Sequence, residues 1–315
     1  MEIIEQDDLV IAKVTRDDVE HDARAVAELS VDVVRLHDNE DPDPAVLDRL
    51  GFLTRPRWVN WLAPLGASEE EFTARVSGTE RRNIRLGRRA VQEGGLRLSV
   101  RSGLTEEVFE EFLPVYDAQL AGMARGKDYA RRFRTRLLDN GDEYMSVFVY
   151  DGRKAVVTSI WWIRPGASVL QMRFSAAAPS ARASRVMRAA YAEAFRFARE
   201  HGLSYASLGN DPSLFGHVVQ PGLFNFKSRL GFSAVPSAML DPHLGGVTTD
   251  RFVSLRALSD PSLVVTVDPT ATALPTWPDA APSLDLVLLS RSPCDAAGTF
   301  RTEGFRSSRT MVIQR

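Results

Sequence analysis

Residues 96–240 alternate between two hydrophobic periods, two and 3.6, in an order that few folds accommodate. Residues 96–100 alternate as a strand, and Thr105 opens a helix with Phe109, Phe112, Leu113 and Tyr116 on one side. A second helix covers residues 129–138 and stops at Asn140-Gly141. Two strands follow, 145–150 and 155–163, joined across Asp151-Gly152, a strong hairpin pair. Next come a strand at 168–176, a long helix over 185–200 closed by Gly202, and a strand at 203–208. A short helix and a returning strand end the block. The spacing thus predicts β, α, α, β, β, β, α, β, an α/β fold with a mixed central sheet flanked by helices. Trp161 and Trp162, consecutive in one strand, must face opposite sides of that sheet.

The flanks are less regular. Residues 10–14 read as a strand, residues 23–29 as a helix, and HDNEDPDPAVLD as a loop because of its prolines. Trp58, Trp61 and Leu62 share an i, i+3, i+4 apolar face, a helical spacing, and Ser68 with Glu71 forms a capping-box-like helix start. Residues 74–95 predict a helix on which Arg81, Arg82, Arg85, Arg88 and Arg89 recur at three and four, ended by Gly94-Gly95. Past residue 250, strands are expected at 263–267, 284–289 and 309–313, the first two separated by the spacer DPTATALPTWPDAAP. The expected organisation is an N-terminal half over residues 1–95, a complete domain over 96–250, and a β-rich extension over 251–315. That extension either completes the N-terminal half or forms an appendage.

Charge narrows the function classes. With 39 Lys+Arg against 41 Asp+Glu the chain is no polybasic nucleic-acid or membrane binder, although contact with a few phosphates remains compatible. Cys294 is the only cysteine and no Cys/His spacing suits a metal, so neither a disulfide nor a metal site is expected, and a reducing, cytoplasmic location is. Nowhere do about 18 apolar residues run together, so no membrane span is expected. No Gly-x-Ser-x-Gly elbow or Gly-x-x-x-x-Gly-Lys-Ser/Thr loop supports a hydrolase or P-loop reading. Only four residues are lysines, Lys13, Lys127, Lys154 and Lys227, which makes each one's surroundings informative.

Four pieces carry a resemblance: Arg81-Arg-Asn-Ile-Arg85, the strand pair around Asp151-Gly152, RAAYAEAFRFAREHGLSYASLGND from Arg188, and GLFNFKSRLG from Gly222. Their order resembles that of the GNAT N-acyltransferase superfamily, and their wording is similar to its Fem-type branch of aminoacyl-tRNA-dependent peptidyltransferases. The resemblance covers residues 75–240, about half of the chain. It implies a tandem GNAT-like fold and transfer of an aminoacyl group from aminoacyl-tRNA, the co-substrate, to an amine, with no separate cofactor. The acceptor implied is a small molecule or a cell-wall precursor. Lys227 then corresponds to the lysine that steadies the reacting ester, and Phe226 to the phenylalanine near the terminal adenosine. Arg82 and Arg85, and Arg182 and Arg185 at the start of the long helix, are candidate phosphate contacts. Asp211, after the strand at 203–208, joins the substrate-binding candidates, with capping of the turn before Pro212 as its commoner role. Two other readings stay open. An acyl-CoA-dependent enzyme would carry small residues where Arg182-Ala-Ser-Arg-Val-Met187 has Arg185 and Met187. A GNAT-like domain that only binds a ligand is the third.

Overall fold

The computed structural model describes residues 1–21, 29–37, 43–123, 125–268 and 283–314. The helix expected at 23–29 and the spacer at 268–282 lie almost wholly outside the described residues. The chain divides into two compact units: Met1–Trp61 with Asn210–Ser228 and Ser233–Arg315, and Leu62–Gly209 with Arg229–Phe232. The backbone passes from one to the other inside the strands Trp58–Pro64 and Tyr205–Pro212, and again after Ser228 and after Phe232.

The second unit contains the predicted α/β block. Helix α1 (Gly78–Glu93) precedes an antiparallel meander of β1 (Arg97–Ser102), β2 (Tyr144–Asp151), β3 (Lys154–Arg164) and β4 (Val169–Ala177). Helix α2 (Glu106–Leu120) lies in the β1–β2 connection. Helix α3 (Val186–Glu200) connects β4 to β5 (Tyr205–Pro212), and the two strands pair in parallel, which only a crossover of this length permits. Local chemistry explains the boundaries. Ser77 and Thr105 accept hydrogen bonds from the Glu80 and Val108 amides at the starts of α1 and α2. Gly152 takes φ +58° in the β2–β3 turn, a conformation that costs glycine little.

Both sheet faces are covered. On one, Phe112 and Tyr116 of α2 meet Phe174 at ring separations of 6.1 and 5.9 Å. On the other, Trp161 meets Tyr191 and Phe195 of α3 edge-on at 5.7 and 5.9 Å. Trp162 stacks instead on Tyr144, so the two tryptophans do face opposite sides. The helix expected over 129–138 breaks at Phe133 into Tyr129–Arg132 and Arg134–Asp139.

The first unit holds two sheets. One runs in the order Glu2–Gln6, Leu9–Val14, Val33–Leu36, Val247–Phe252, Leu53–Pro56; the other in the order Leu214–Phe215, Ser262–Thr266, Asp285–Ser290, Ser308–Val312. Ser233–Pro236 runs beside the Trp58–Pro64 strand. Two expectations are corrected here. Pro44 begins a helix, Pro44–Arg49, with Asp43 capping the Ala45 amide, because proline at the first helical position loses no hydrogen bond. Trp58, Trp61 and Leu62 lie in a strand, and residues 59–63 are all buried; a short apolar run covered on both faces has no period that separates strand from helix. In this unit Asp250, fully buried, accepts hydrogen bonds from Arg35 and Arg55, and Arg55 also donates to the Ser213 hydroxyl.

Candidate functional site

Helix α4 (Pro221–Arg229) carries Phe224 and Lys227 three residues apart, hence on one face, and both are buried. Phe224 anchors that face: its ring meets Trp61 edge-on at 5.2 Å and Phe215 at 5.4 Å, and stacks on Phe305 at 5.6 Å. Lys227 therefore enters an aromatic interior at 3% exposure, which excludes a solvated surface lysine. Its charge is met there. Nζ donates to Asp211 Oδ2 at 2.7 Å, and the Trp61 indole Nε1 donates to the same oxygen at 2.8 Å. Phe226, on another side of the helix, is half-buried.

Asp211 is thus not the cap of a turn before Pro212. It lies within β5, 7% exposed, and holds Lys227. The Asp-Pro dipeptide favours turns when its carboxylate is solvated; here a buried ammonium offers the stronger partner. Next to it, Asn60 Nδ2 and the Ser237 hydroxyl both donate to Asn210 Oδ1, at 2.7 and 2.9 Å. Sequence reading missed Ser237 and also Asn60 and Trp61, the last two of which lie far from Lys227 along the chain. The only available signal was that a buried indole N–H requires an acceptor.

The arginines behave differently. Arg82 and Arg85 are exposed on α1, with no ion pair among the described residues, and Arg85 borders a shallow depression with Arg88, Arg89, Gln92 and Glu93. Arg88 is bound by both Glu69 oxygens at 2.5 and 2.7 Å, which raises its already high pKa. Arg131 is claimed by Asp117 and Asp128. Arg188 pairs with the buried Glu80 of α1 at 3.0 Å, and Arg185 Nε donates to Asn83 at 2.7 Å. Arg182 is exposed. Arg185 caps α3 with φ +65°, a left-handed conformation rare for non-glycine residues, and its side chain makes no capping bond.

Gly87 sets how closely α1 approaches this helix start, because a Cβ there would stand 2.3 Å from the Arg185 carbonyl oxygen. Gly→Ala inside a helix ordinarily stabilises by about 1 kcal/mol. Here the obstacle is backbone, so Gly87→Ala is expected to lower stability by about 1–3 kcal/mol. Thermal unfolding gives the sign, and a stabilised variant would mean that the helices do not meet this closely.

The second unit also has an apolar groove lined by Phe72, Ile84, Tyr191, Phe195 and Leu230, with Glu69, Arg188 and Arg199 at its margin. Its void is about 10 Å³, room for one water rather than a substrate. Among the described residues no three His, Cys, Asp or Glu side chains could hold a metal, and no helix is long and apolar enough to cross a membrane.

No curated protein matches the chain. Among solved structures, L-PGS from Bacillus licheniformis is 17% identical with a TM-score of 0.36, over 57% of this chain and 53% of that one, so the match spans about half of that protein. The C-terminal domain of a putative lysylphosphatidylglycerol synthetase from Agrobacterium fabrum is 11% identical, TM-score 0.40, over 79% and 83%. FemX is 13% identical, TM-score 0.46, over 77% and 81%. A family profile described as an acetyltransferase (GNAT) domain matches residues 78–227, from the first residue of α1 to Lys227. That span holds the meander, the parallel fifth strand and the long helix between them, so residues 78–227 are a GNAT domain.

Proposed function

We propose that the protein transfers an aminoacyl group from an aminoacyl-tRNA to an amine and so forms an amide bond. The observation that carries this reading is the buried Lys227, held by Asp211 and Trp61 in the segment whose wording is similar to the Fem-type branch. The amine nitrogen attacks the ester carbonyl, the carbonyl oxygen takes up negative charge, and the intermediate expels the ribose hydroxyl while the amine loses a proton. An ammonium fixed near that oxygen stabilises the charge by about 3–4 kcal/mol, the magnitude of other oxyanion donors. Phe226 is assigned to the terminal adenosine. Arg82, Arg85 and Arg182, all exposed, suit phosphates of the acceptor end, and a few such contacts suffice for a chain of net charge -2. The acceptor is a small-molecule amine or a cell-wall precursor.

One observation favours an acyl-CoA donor instead. Arg185 keeps the left-handed backbone that a small-residue phosphate loop uses, at the positive end of α3. Against it stands the Arg185 side chain itself, tied to Asn83.

The test incubates the full chain with charged tRNA and candidate amines and detects the amide by mass spectrometry, with and without ribonuclease. The expected result is an RNase-sensitive product. In Lys227→Arg the positive charge remains but sits elsewhere, so product formation should fall about 10²–10³-fold, and thermal unfolding of the same variant separates lost chemistry from lost packing. Turnover by Lys227→Arg at the wild-type rate would remove the assigned role. A ribonuclease-insensitive product with acyl-CoA would select the other donor.

A further inference from the structure

Strand β4 has neighbours on both sides in its sheet, yet Met172, Arg173, Phe174 and Ser175 are only half-buried. The cause is an incomplete ladder. Pairing with β5 joins Tyr205 to Val169, Ala206 to Leu170 and Ser207 to Gln171 and then ends, whereas β4 runs on to Ala177. The pairing with β3 slips by one residue at Arg173, which bends the strand there.

The alternation of an antiparallel pair decides which backbone groups face the open edge. Ala178 N donates to Val156 O at 2.8 Å, so Ala176 points its N–H and C=O at β3, and Ser175 and Ala177 point theirs away from it. A side chain occupies this edge. Gln119, near the end of α2, donates from Nε2 to Ser175 O at 3.1 Å and accepts at Oε1 from Ala177 N, also at 3.1 Å. One carboxamide thus reproduces the two bonds that a neighbouring strand would make. Ser175 is held in register from the other face by a 2.9 Å contact between its hydroxyl and that of Tyr191.

We propose that Gln119 determines donor specificity by plugging the free edge of β4 against donors that carry an extended, amide-containing arm. An extended chain with amide groups adds to an open strand edge through main-chain-like hydrogen bonds, and the arm of coenzyme A, with two amides in a flexible chain, is such a group. With Ser175 O and Ala177 N already satisfied, that arm gains nothing it does not first have to displace. A donor whose activated ester is presented by a nucleotide end needs no strand edge. The inference rests on the acyl-transfer reading and concerns the choice of donor.

The test measures binding of coenzyme A, and of adenosine 3′,5′-bisphosphate as a control without the arm, to the wild-type chain and to Gln119→Ala by calorimetry. Gln119→Ala should bind coenzyme A at least tenfold more tightly than the wild type, with the bisphosphate unchanged. Hydrogen exchange at the Ala177 amide should quicken in Gln119→Ala and slow again on adding coenzyme A, while Ala176, bonded to β3, stays protected and reports an intact sheet. Equal coenzyme A affinity in the two proteins, or an equal gain for the bisphosphate, overturns the proposal. Failure of aminoacyl transfer with this gain intact would sink the donor reading alone, and transfer without the gain would sink the plug alone.

Discussion

Lys227→Ala should lower the free energy of unfolding by about 3–5 kcal/mol, because it leaves the Asp211 carboxylate in a desolvated place with, among the described residues, only the Trp61 indole N–H as partner. The loss does not measure the strength of an attraction. Most of it is the cost of a buried charge left without compensation, and Asp211→Ala, which removes the carboxylate that Lys227 bonds, should also lower stability. The double variant Lys227→Met with Asp211→Leu should recover most of the loss, since apolar groups of similar volume need no partner. Urea unfolding followed by tryptophan fluorescence reads all four proteins. A loss below about 1 kcal/mol in Lys227→Ala would show that water reaches the pair. The same argument explains why Lys227→Arg is the informative catalytic variant, since Lys227→Ala confounds lost chemistry with lost stability.

Asp250→Ala should also cost about 3–5 kcal/mol at neutral pH, here by leaving Arg35 and Arg55 facing each other without their shared carboxylate. The effect carries a pH signature. Burial pushes the Asp250 carboxyl up, but the Arg55 and Arg35 guanidiniums together push it further down, so it is held below the usual carboxylate range. A depressed folded-state value means that the unfolded chain binds the proton more readily. The stabilisation is therefore complete well above the unfolded value of about 3.9 and is lost as pH falls through the folded one. Unfolding at pH 7 and pH 4 should show the gap between wild type and Asp250→Ala narrowing at the lower pH. A gap that widened would contradict the assignment.

The parts of the fold that were legible in the sequence are those whose physics is local. The Asp151-Gly152 turn, the Thr105 and Ser68 caps, the Gly94 stop and the period-3.6 face of α2 each depend on neighbours a few residues away, and each lies where the pattern places it. The Trp58–Pro64 strand was misread for the opposite reason. Its period is erased by burial on both faces, and burial is a property of what packs against it. The split at Phe133 and the helix begun by Pro44 show smaller versions of the same limit.

The candidate site divides along the same line. Lys227 stood out as one of four lysines beside a Phe-Lys pair, and Phe226, Arg82, Arg85, Arg182, Arg185 and Asp211 were named from motifs. Residue type and spacing alone determined the α/β order, because hydrophobic period, capping and turn chemistry are written within short windows, while the resemblance to the Fem-type branch pointed to Lys227 and Phe226. Only the tertiary structure decided that Asp211 pairs with Lys227 rather than capping a turn, that Trp61 completes the pair, that Glu80 and Asn83 claim Arg188 and Arg185 while Arg82 and Arg85 stay exposed, and that Gln119 fills the edge of β4. Each of these is a contact between distant segments. A buried charge or an open strand edge takes whichever partner the packing brings within about 3 Å, and no short window of sequence encodes that distance.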